Sequence, residues 1–324
     1  MFAYLSIRLL MFGWLIPAFV FACDFCTLYT GVLPQDRMNR LEWTFRMSRF
    51  SNGLKPLNSN SSVSGSHLRT AHQTSPDAGI PNHERLNEQY QFVEIRYSFF
   101  PISRLQMSLH LPYQNYREEE GRNSRERNGF GDFTAFGQYA FVAKEETKYS
   151  LKWFAGLGGR VPTGWYYRNP ERYADYFFEQ GGRGTWGLML LTTLNYRKGN
   201  FGNSISVNWN WMASRPFGYR PGSILNINQY FFQLINLKYG EIRLLPAANL
   251  YMELTEGNRN GAYQVMNTGG ISILGGPDVS LYLNRWMIRT GLQLPVYERL
   301  NGQQPINLWR MQISLAWNFG KEKC

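Results

Sequence analysis

The 324-residue chain contains no stretch of eighteen consecutive apolar residues, about the length a helix needs to cross hydrocarbon. Its one long apolar run, Leu9 to Phe21, has 13 residues, contains Pro17 and ends at the small residue Ala22. That pattern reads as a cleaved secretory signal over residues 1–22, and a retained anchor is disfavoured by the proline and the short length. Cysteine is scarce: Cys23, Cys26 and Cys324 are the three, too few for a disulfide framework. Histidine is nearly as scarce, with His67, His72, His83 and His110 the complete set. Three of the four fall in one polar stretch, and no Gly-x-Ser-x-Gly accompanies them, so no nucleophile, base and acid constellation stands out and an enzyme is not expected. Dense basic clusters are absent too. The net charge of +11 comes from dispersed arginines, which excludes the aromatic and basic stripe of a nucleic-acid binder.

What the chain does have is alternation. From Trp309 to Phe319 every second residue is large and apolar (Trp309, Met311, Ile313, Leu315, Trp317, Phe319), while Arg310, Gln312, Ser314, Ala316 and Asn318 between them are polar or small. The same period of two recurs in segments of about ten residues or more, as in strands with one face to lipid and one to an aqueous lumen. With membrane helices excluded, membrane residence requires sheet, and only a closed barrel leaves no strand edge in hydrocarbon. The fold class expected is all-β: a transmembrane antiparallel barrel of about twelve strands. Mean hydropathy of −0.38 and 16% aromatics suit such a barrel. A soluble sandwich or lipocalin-like barrel would turn the apolar faces inward, and the Trp and Tyr near strand ends favour an aromatic-girdled lipid face instead.

Strands are expected near 40–51, 89–100, from 105, from 133, and then at 149–161, 184–197, 201–213, 223–237, 241–254, 268–283, 286–297 and 307–319. Gln229 and Gln233 interrupt the apolar face of the eighth, and Pro277 suggests a bulge or bend in the tenth. Short connections fall near 101, 145, 198, 238 and 284. Longer ones fall at 53–88, 117–128, 165–183, 214–222, 255–266 and 299–306. The alternation matches short periplasmic turns and longer extracellular loops, with both termini periplasmic in the outer membrane of a Gram-negative cell. The domain reading is a signal at 1–22, a periplasmic segment with the Cys-x-x-Cys pair at 23–39, a barrel at 40–320 and a tail at 321–324.

If the apolar faces meet lipid, the inward set is Glu42, Arg46, Glu94, Arg96, His110, Asp132, Gln138, Lys152, Arg160, Arg243, Glu253, Arg289, Gln293, Arg310 and Gln312. Acids and bases are interleaved there, which suits either a narrow polar path or a satisfied internal network with no transport role. By the same facing rule, Trp317→Arg would place a charge in lipid and Gln312→Arg would not. Cys23 and Cys26 are candidates for a local disulfide, and lipid attachment at Cys23 is an alternative. With His67 and His72 they form a weak metal-ligand candidate, since one Cys-x-x-Cys lacks a second pair. No cofactor is expected, and the partners expected are outer-membrane lipid and a small solute.

Gly129-Phe130-Gly131-Asp132-Phe133, Val161-Pro162-Thr163-Gly164, and Leu292-Gln293-Leu294-Pro295-Val296-Tyr297 with Asn301-Gly302-Gln303 together resemble the outer-membrane transporter-like barrels of the meta-pathway phenol-degradation type. The resemblance implies passage of small organic molecules across the outer membrane. The long 53–88 segment, the Cys23/Cys26 pair and the tail depart from that pattern. The function expected is a channel for small, hydrophobic or amphipathic solutes. The alternatives are a closed structural or surface-binding barrel, with residues 53–88 as a plug or a projection, and a metal-handling barrel.

Overall fold

A computed structural model describes residues 38–51, 86–120, 123–146, 148–169, 179–215, 217–237, 242–302 and 304–320. The expected signal, Cys23, Cys26, His67, His72, His83, most of the 53–88 segment and the tail with Cys324 lie outside the described residues. Within them the chain forms β1 (Asn39–Ser51), β2 (Leu86–Ile102), β3 (Leu105–Glu120), β4 (Asn123–Phe130), β5 (Phe133–Glu145), β6 (Tyr149–Val161), β7 (Gly187–Lys198), β8 (Phe201–Met212) and β9 (Tyr219–Arg220). There follow β10 (Ile224–Gln233), β11 (Ile235–Asn236), β12 (Ile242–Thr255), β13 (Arg259–Asn260), β14 (Tyr263–Gln264), β15 (Gly270–Leu283), β16 (Trp286–Leu300) and β17 (Ile306–Phe319). β4 and β5 are two halves of one stave, as are β10 and β11, so the large sheet has twelve staves. The first and last strands pair from Asn39↔Phe319 to Ser51↔Ile306, and β10 pairs with both β8 and β12. The sheet therefore closes into an antiparallel barrel.

The period-two sequence decides which face is which. Along β10, Ile224, Asn226, Asn228, Tyr230 and Phe232 are buried inside, while Gln229 and Gln233 share the outer face with Phe231. Outer positions elsewhere carry the exposed large hydrophobics: Val93 and Ile95 on β2, Leu188, Leu190 and Leu194 on β7, and Ile313 and Leu315 on β17. Aromatic rings gather at the short-turn rim, where Trp286–Trp317, Trp317–Phe319, Tyr97–Phe319, Tyr97–Phe99 and Phe141–Trp153 have centroids 4.7 to 6.3 Å apart. Such rings favour the boundary between apolar and wet surroundings. Trp317 belongs to this rim belt, so the middle of the outer face on that strand is Ile313, paired with Phe45 and Thr290.

Two expectations need correction and a third, at Pro277, is refined. Residues 117–128 are not a loop: β3 runs on to Glu120 and pairs with β4, bringing Arg117 opposite Glu126 and Glu118 opposite Arg125. Opposite charges facing across two strands stabilise a hairpin that its polarity had disguised. The irregularity expected at Pro277 is one-sided: β15 stays paired with β12 from Gly270 to Leu283, while its ladder to β16 omits Gly276 and Pro277. A register shift also falls nearby on β16, between Tyr297 and Pro295. Finally, the 214–222 and 255–266 connections pair with each other, β9–β13–β14 forming a small sheet over the long-loop end.

Candidate functional site

Toward the short turns Tyr230, Phe232, Leu245, Tyr282, Met287 and Ala316, from the five neighbouring strands β10, β12, β15, β16 and β17, form one buried cluster inside the lumen, a partial floor at that end. Above it the side chains separate and leave a cavity of about 140 Å³.

The wall beside the cavity is interrupted by design of sequence. β3 pairs with β4 down to Tyr113↔Phe130 and with β5 from His110↔Thr134, so Leu111 and Pro112 face one residue too many at 131–133. Pro112 has no N–H to give the ladder, and an extra residue there makes a bulge. The bulge turns Asp132 into the lumen, where it is buried. Its two oxygens accept the backbone N–H groups of Gly164 (3.0 Å, Oδ1) and Arg183 (2.7 Å, Oδ2). Those belong to the connection after β6, whose described residues 162–169 and 179–186 fold back over the mouth as a strap. Trp165 N–H donates to Phe130 O (2.9 Å), Gly182 N–H to Trp165 O (2.8 Å), and Phe133 N–H to the Thr163 hydroxyl (2.9 Å). The approach requires glycine: a Cβ on Gly164 would stand 2.6 Å from the Gly131 carbonyl carbon and 2.7 Å from Gly182 Cα. Thus Gly129–Phe133 and Val161–Gly164, two of the three stretches carrying the family resemblance, meet to hold the strap.

Over the strap lies a cap. Tyr219 is buried against Tyr166, Tyr167, Phe217 and Val265, and Arg215 stacks on Tyr166 and Phe217 with its guanidinium carbon 4.5 and 4.7 Å from the ring centroids. Arg127 of the charged hairpin meets the Glu179 carboxyl of the strap, with Nε 2.5 Å from Oε2. Burial, with Glu118 adding its charge and Arg127 opposing, pushes the Glu179 carboxyl up to about 7.

Inside, the charges are arranged in groups. Glu94 accepts from Arg46 Nη2 (3.0 Å) and Arg96 Nη2 (2.9 Å), with His110 Nδ1 at 3.3 Å, and Arg96 Nη1 also lies 3.7 Å from Glu42 Oε2. Across the lumen Arg289 donates through Nε and Nη2 to Asp278 (2.6 to 2.9 Å) and through Nη2 to the Tyr230 hydroxyl (2.8 Å). Asn228 donates to the same hydroxyl (3.0 Å), and Asn249 joins Asn228 to Gln293. Arg310 Nε donates to Asn307 (2.9 Å), and its Nη1 lies 3.6 Å from Glu253, which also accepts from Tyr251 (2.7 Å).

Of the fifteen residues that alternation places inside, Arg46, Glu94, His110, Asp132, Arg160, Arg289, Gln293, Arg310 and Gln312 line the cavity. Glu42 and Arg96 sit buried in the Glu94 network, Gln138 is buried, and Glu253 backs Arg310. Lys152 and Arg243 lie apart at the short-turn end, Lys152 pairing with Glu145 (3.0 Å) and Arg243 opposite Asn236 and Tyr282. Sequence reasoning missed Asp278, Tyr230, Asn228, Asn249 and Arg183. Asp278 was legible in principle, since it shares parity with Ser280 and Tyr282, but the adjoining Gly-Gly-Pro obscured the alternation; Arg183, on the strap, had no such signal. Among the described residues no group of three or more His, Cys, Asp or Glu is placed to hold a metal ion. No helix there is long and apolar enough to cross a membrane.

No known family profile matches the chain, and no curated protein matches it. Among solved structures it is similar to the COG4313 outer membrane channel from Pseudomonas putida F1, with a TM-score of 0.61 at 11% identity over 89% of this chain and 100% of that one. The fold is that of an outer-membrane β-barrel. Two further matches are looser. The beta domain of the Bordetella autotransporter BrkA has a TM-score of 0.48 at 11% identity, covering 86% of this chain and 99% of that one. The translocator domain of NalP from Neisseria meningitidis has 0.42 at 8%, covering 89% and 91%. The likeness to the channel shows the architecture alone.

Proposed function

We propose that this barrel is a gated conduit for small amphipathic solutes across the outer membrane of a Gram-negative cell. The observation that carries the reading is a cavity lined by charged and apolar side chains together, held at mid-barrel between a side-chain floor and a backbone strap. An apolar outer face with an aromatic rim supports outer-membrane lipid as its surroundings. Asn39 and Phe319 lie together on the short-turn rim, which is consistent with both termini facing the periplasm. The packing of that floor also favours a second reading, a closed barrel whose capped mouth binds a partner.

Single-channel recording from the folded protein in planar bilayers separates the two. It should be made on the whole protein, on a variant lacking residues 55–85, and on Asp132→Ala. Discrete openings in any of the three, largest where the strap is released, support a conduit. Silence in all three, from protein shown to be folded, leaves the closed barrel.

A further inference from the structure

The two ends of the barrel carry their charges differently. At the long-loop end acids and bases face one another, Arg117 opposite Glu126 and Glu118 opposite Arg125 on paired strands, with Arg127 against Glu179. At the short turns one group of cations gathers. Lys144 near the end of β5, Lys148 in the turn to β6 and Lys198 closing β7 are all exposed, and Gly199 N–H donates to Lys148 O (3.0 Å), tying the two turns together. The acids beside them are already engaged: Glu145 pairs with Lys152 (3.0 Å), and Glu146 accepts from the Tyr149 hydroxyl (2.7 Å). Among the described residues no acid forms an ion pair with Lys144, Lys148 or Lys198.

Strand register sets what these cations lie beside. Lys198 is level with Tyr149 on one neighbouring strand and Phe201 on the other, and Lys144 is level with Leu151, whose row continues to Tyr196. These are outward positions, next to Phe141 and Trp153 of the aromatic rim, and Phe141, Trp153, Tyr196 and Phe201 are all exposed. Lys144 and Lys198 stand two strands apart, about 10 Å, a gap that two lysine stems can bend across toward a single group. An occupant that uses the whole corner therefore needs an anionic head and an apolar body. A soluble acidic protein would leave the rings unused, and so would a free anion.

We propose that this corner of the short-turn rim binds an anionic phospholipid of the periplasmic leaflet, its phosphate among Lys144, Lys148 and Lys198 and its chains along Phe141, Trp153 and Phe201. Lysine suits the task, because its apolar stem lies along the rings while its compact charge reaches the head-group layer. The proposal rests on the outer-membrane placement argued above and not on conduction.

Native mass spectrometry of the full-length protein, folded in neutral detergent and titrated with phosphatidylglycerol or phosphatidylcholine of identical chains, tests it. The parent should hold phosphatidylglycerol at least about tenfold more tightly. Joint substitution Lys144→Gln, Lys148→Gln and Lys198→Gln should bring the two lipids within about twofold, in protein that still migrates as a folded barrel before heating. Removing as much charge from exposed positions of the long-loop end, by Arg168→Gln, Arg259→Gln and Arg299→Gln, should leave the preference intact. If the triple lysine variant fails to fold, the single substitutions are read instead, each weakening phosphatidylglycerol by about two- to fivefold. Equal binding of the two lipids by the parent would overturn the proposal, as would equal losses in the lysine and arginine sets. Displacement of the lipid by glycerol 3-phosphate, the head without its chains, would overturn it in favour of a free-anion site. A barrel that binds the lipid yet stays silent in bilayers loses the conduit and keeps this site, and a conducting barrel indifferent to head-group charge does the reverse.

Discussion

Toward the short turns the lumen holds buried side chains that the strands carry, Phe232, Leu245, Tyr282 and Met287 among them, whereas toward the long loops it is covered by backbone brought in at residues 162–169 and 179–186. The floor is fixed by strand register, so shifting it means disturbing packing on five strands at once. The strap depends on one carboxylate, a few peptide hydrogen bonds and the absence of side chains at Gly131, Gly164 and Gly182. One end resists opening because its contacts are many and apolar. The other can open because its contacts are few, polar and local, as mobile elements must be.

Truncating the floor puts that contrast under the greatest strain. Phe232→Ala should lower the unfolding free energy by about 3–5 kcal/mol, read by denaturant titration in lipid vesicles, while leaving conductance unchanged as Tyr230 and Tyr282 settle inward. A large gain in conductance would mean the floor, not the strap, is the gate. Next comes the depth of the wall in lipid. Ile313→Arg should cost about 2–4 kcal/mol and Trp317→Arg, at the aromatic rim, about 0–1, with the inward Gln312→Arg folding as well as the parent. Equal costs for Ile313→Arg and Trp317→Arg would misplace the whole barrel relative to the bilayer.

Smaller in energy but larger in function is Asp132→Ala. It strands the N–H groups of Gly164 and Arg183 at a cost of about 1–3 kcal/mol, and should raise channel open probability and amide exchange across 163–166 and 181–183. Unaltered exchange would show that glycine packing alone holds the strap. The smallest effect is set by pH. Glu179 is held near 7 in the folded barrel against an ordinary 4.5, so it stays protonated where a released strap would ionise. Its stabilisation of the docked strap is complete below 4.5 and is lost as pH rises to 7. Amides of the strap should therefore exchange more slowly at pH 5 than at pH 8, after correction for intrinsic rates, and Glu179→Gln should abolish the difference. A dependence that survives the substitution assigns the titration to another group.

Much of this was open to reading from residue order. Alternation located the barrel staves because a side-chain period of two needs only local pleating to set inside against outside. Tyr149–Val161 was bounded to the residue, since Glu146 and the Val161-Pro162 step punctuate it on either side. Reading failed where another pairing overrode local character. The acids and arginines of 117–128 look like solvated loop until Arg125 and Glu126 are set opposite Glu118 and Arg117. Lys152 and Arg243 have inward parity yet lie at the rim, because parity gives a face and not a depth.

The sequence by itself determined an all-β wall, its inside and outside, and the inward parity of many of its charges, all consequences of neighbours along one chain. Only the tertiary structure decided which of those charges share a cavity and that Asp132 ties a distant loop by its peptide groups. Those depend on barrel closure and strand stagger, which bring together residues far apart in sequence.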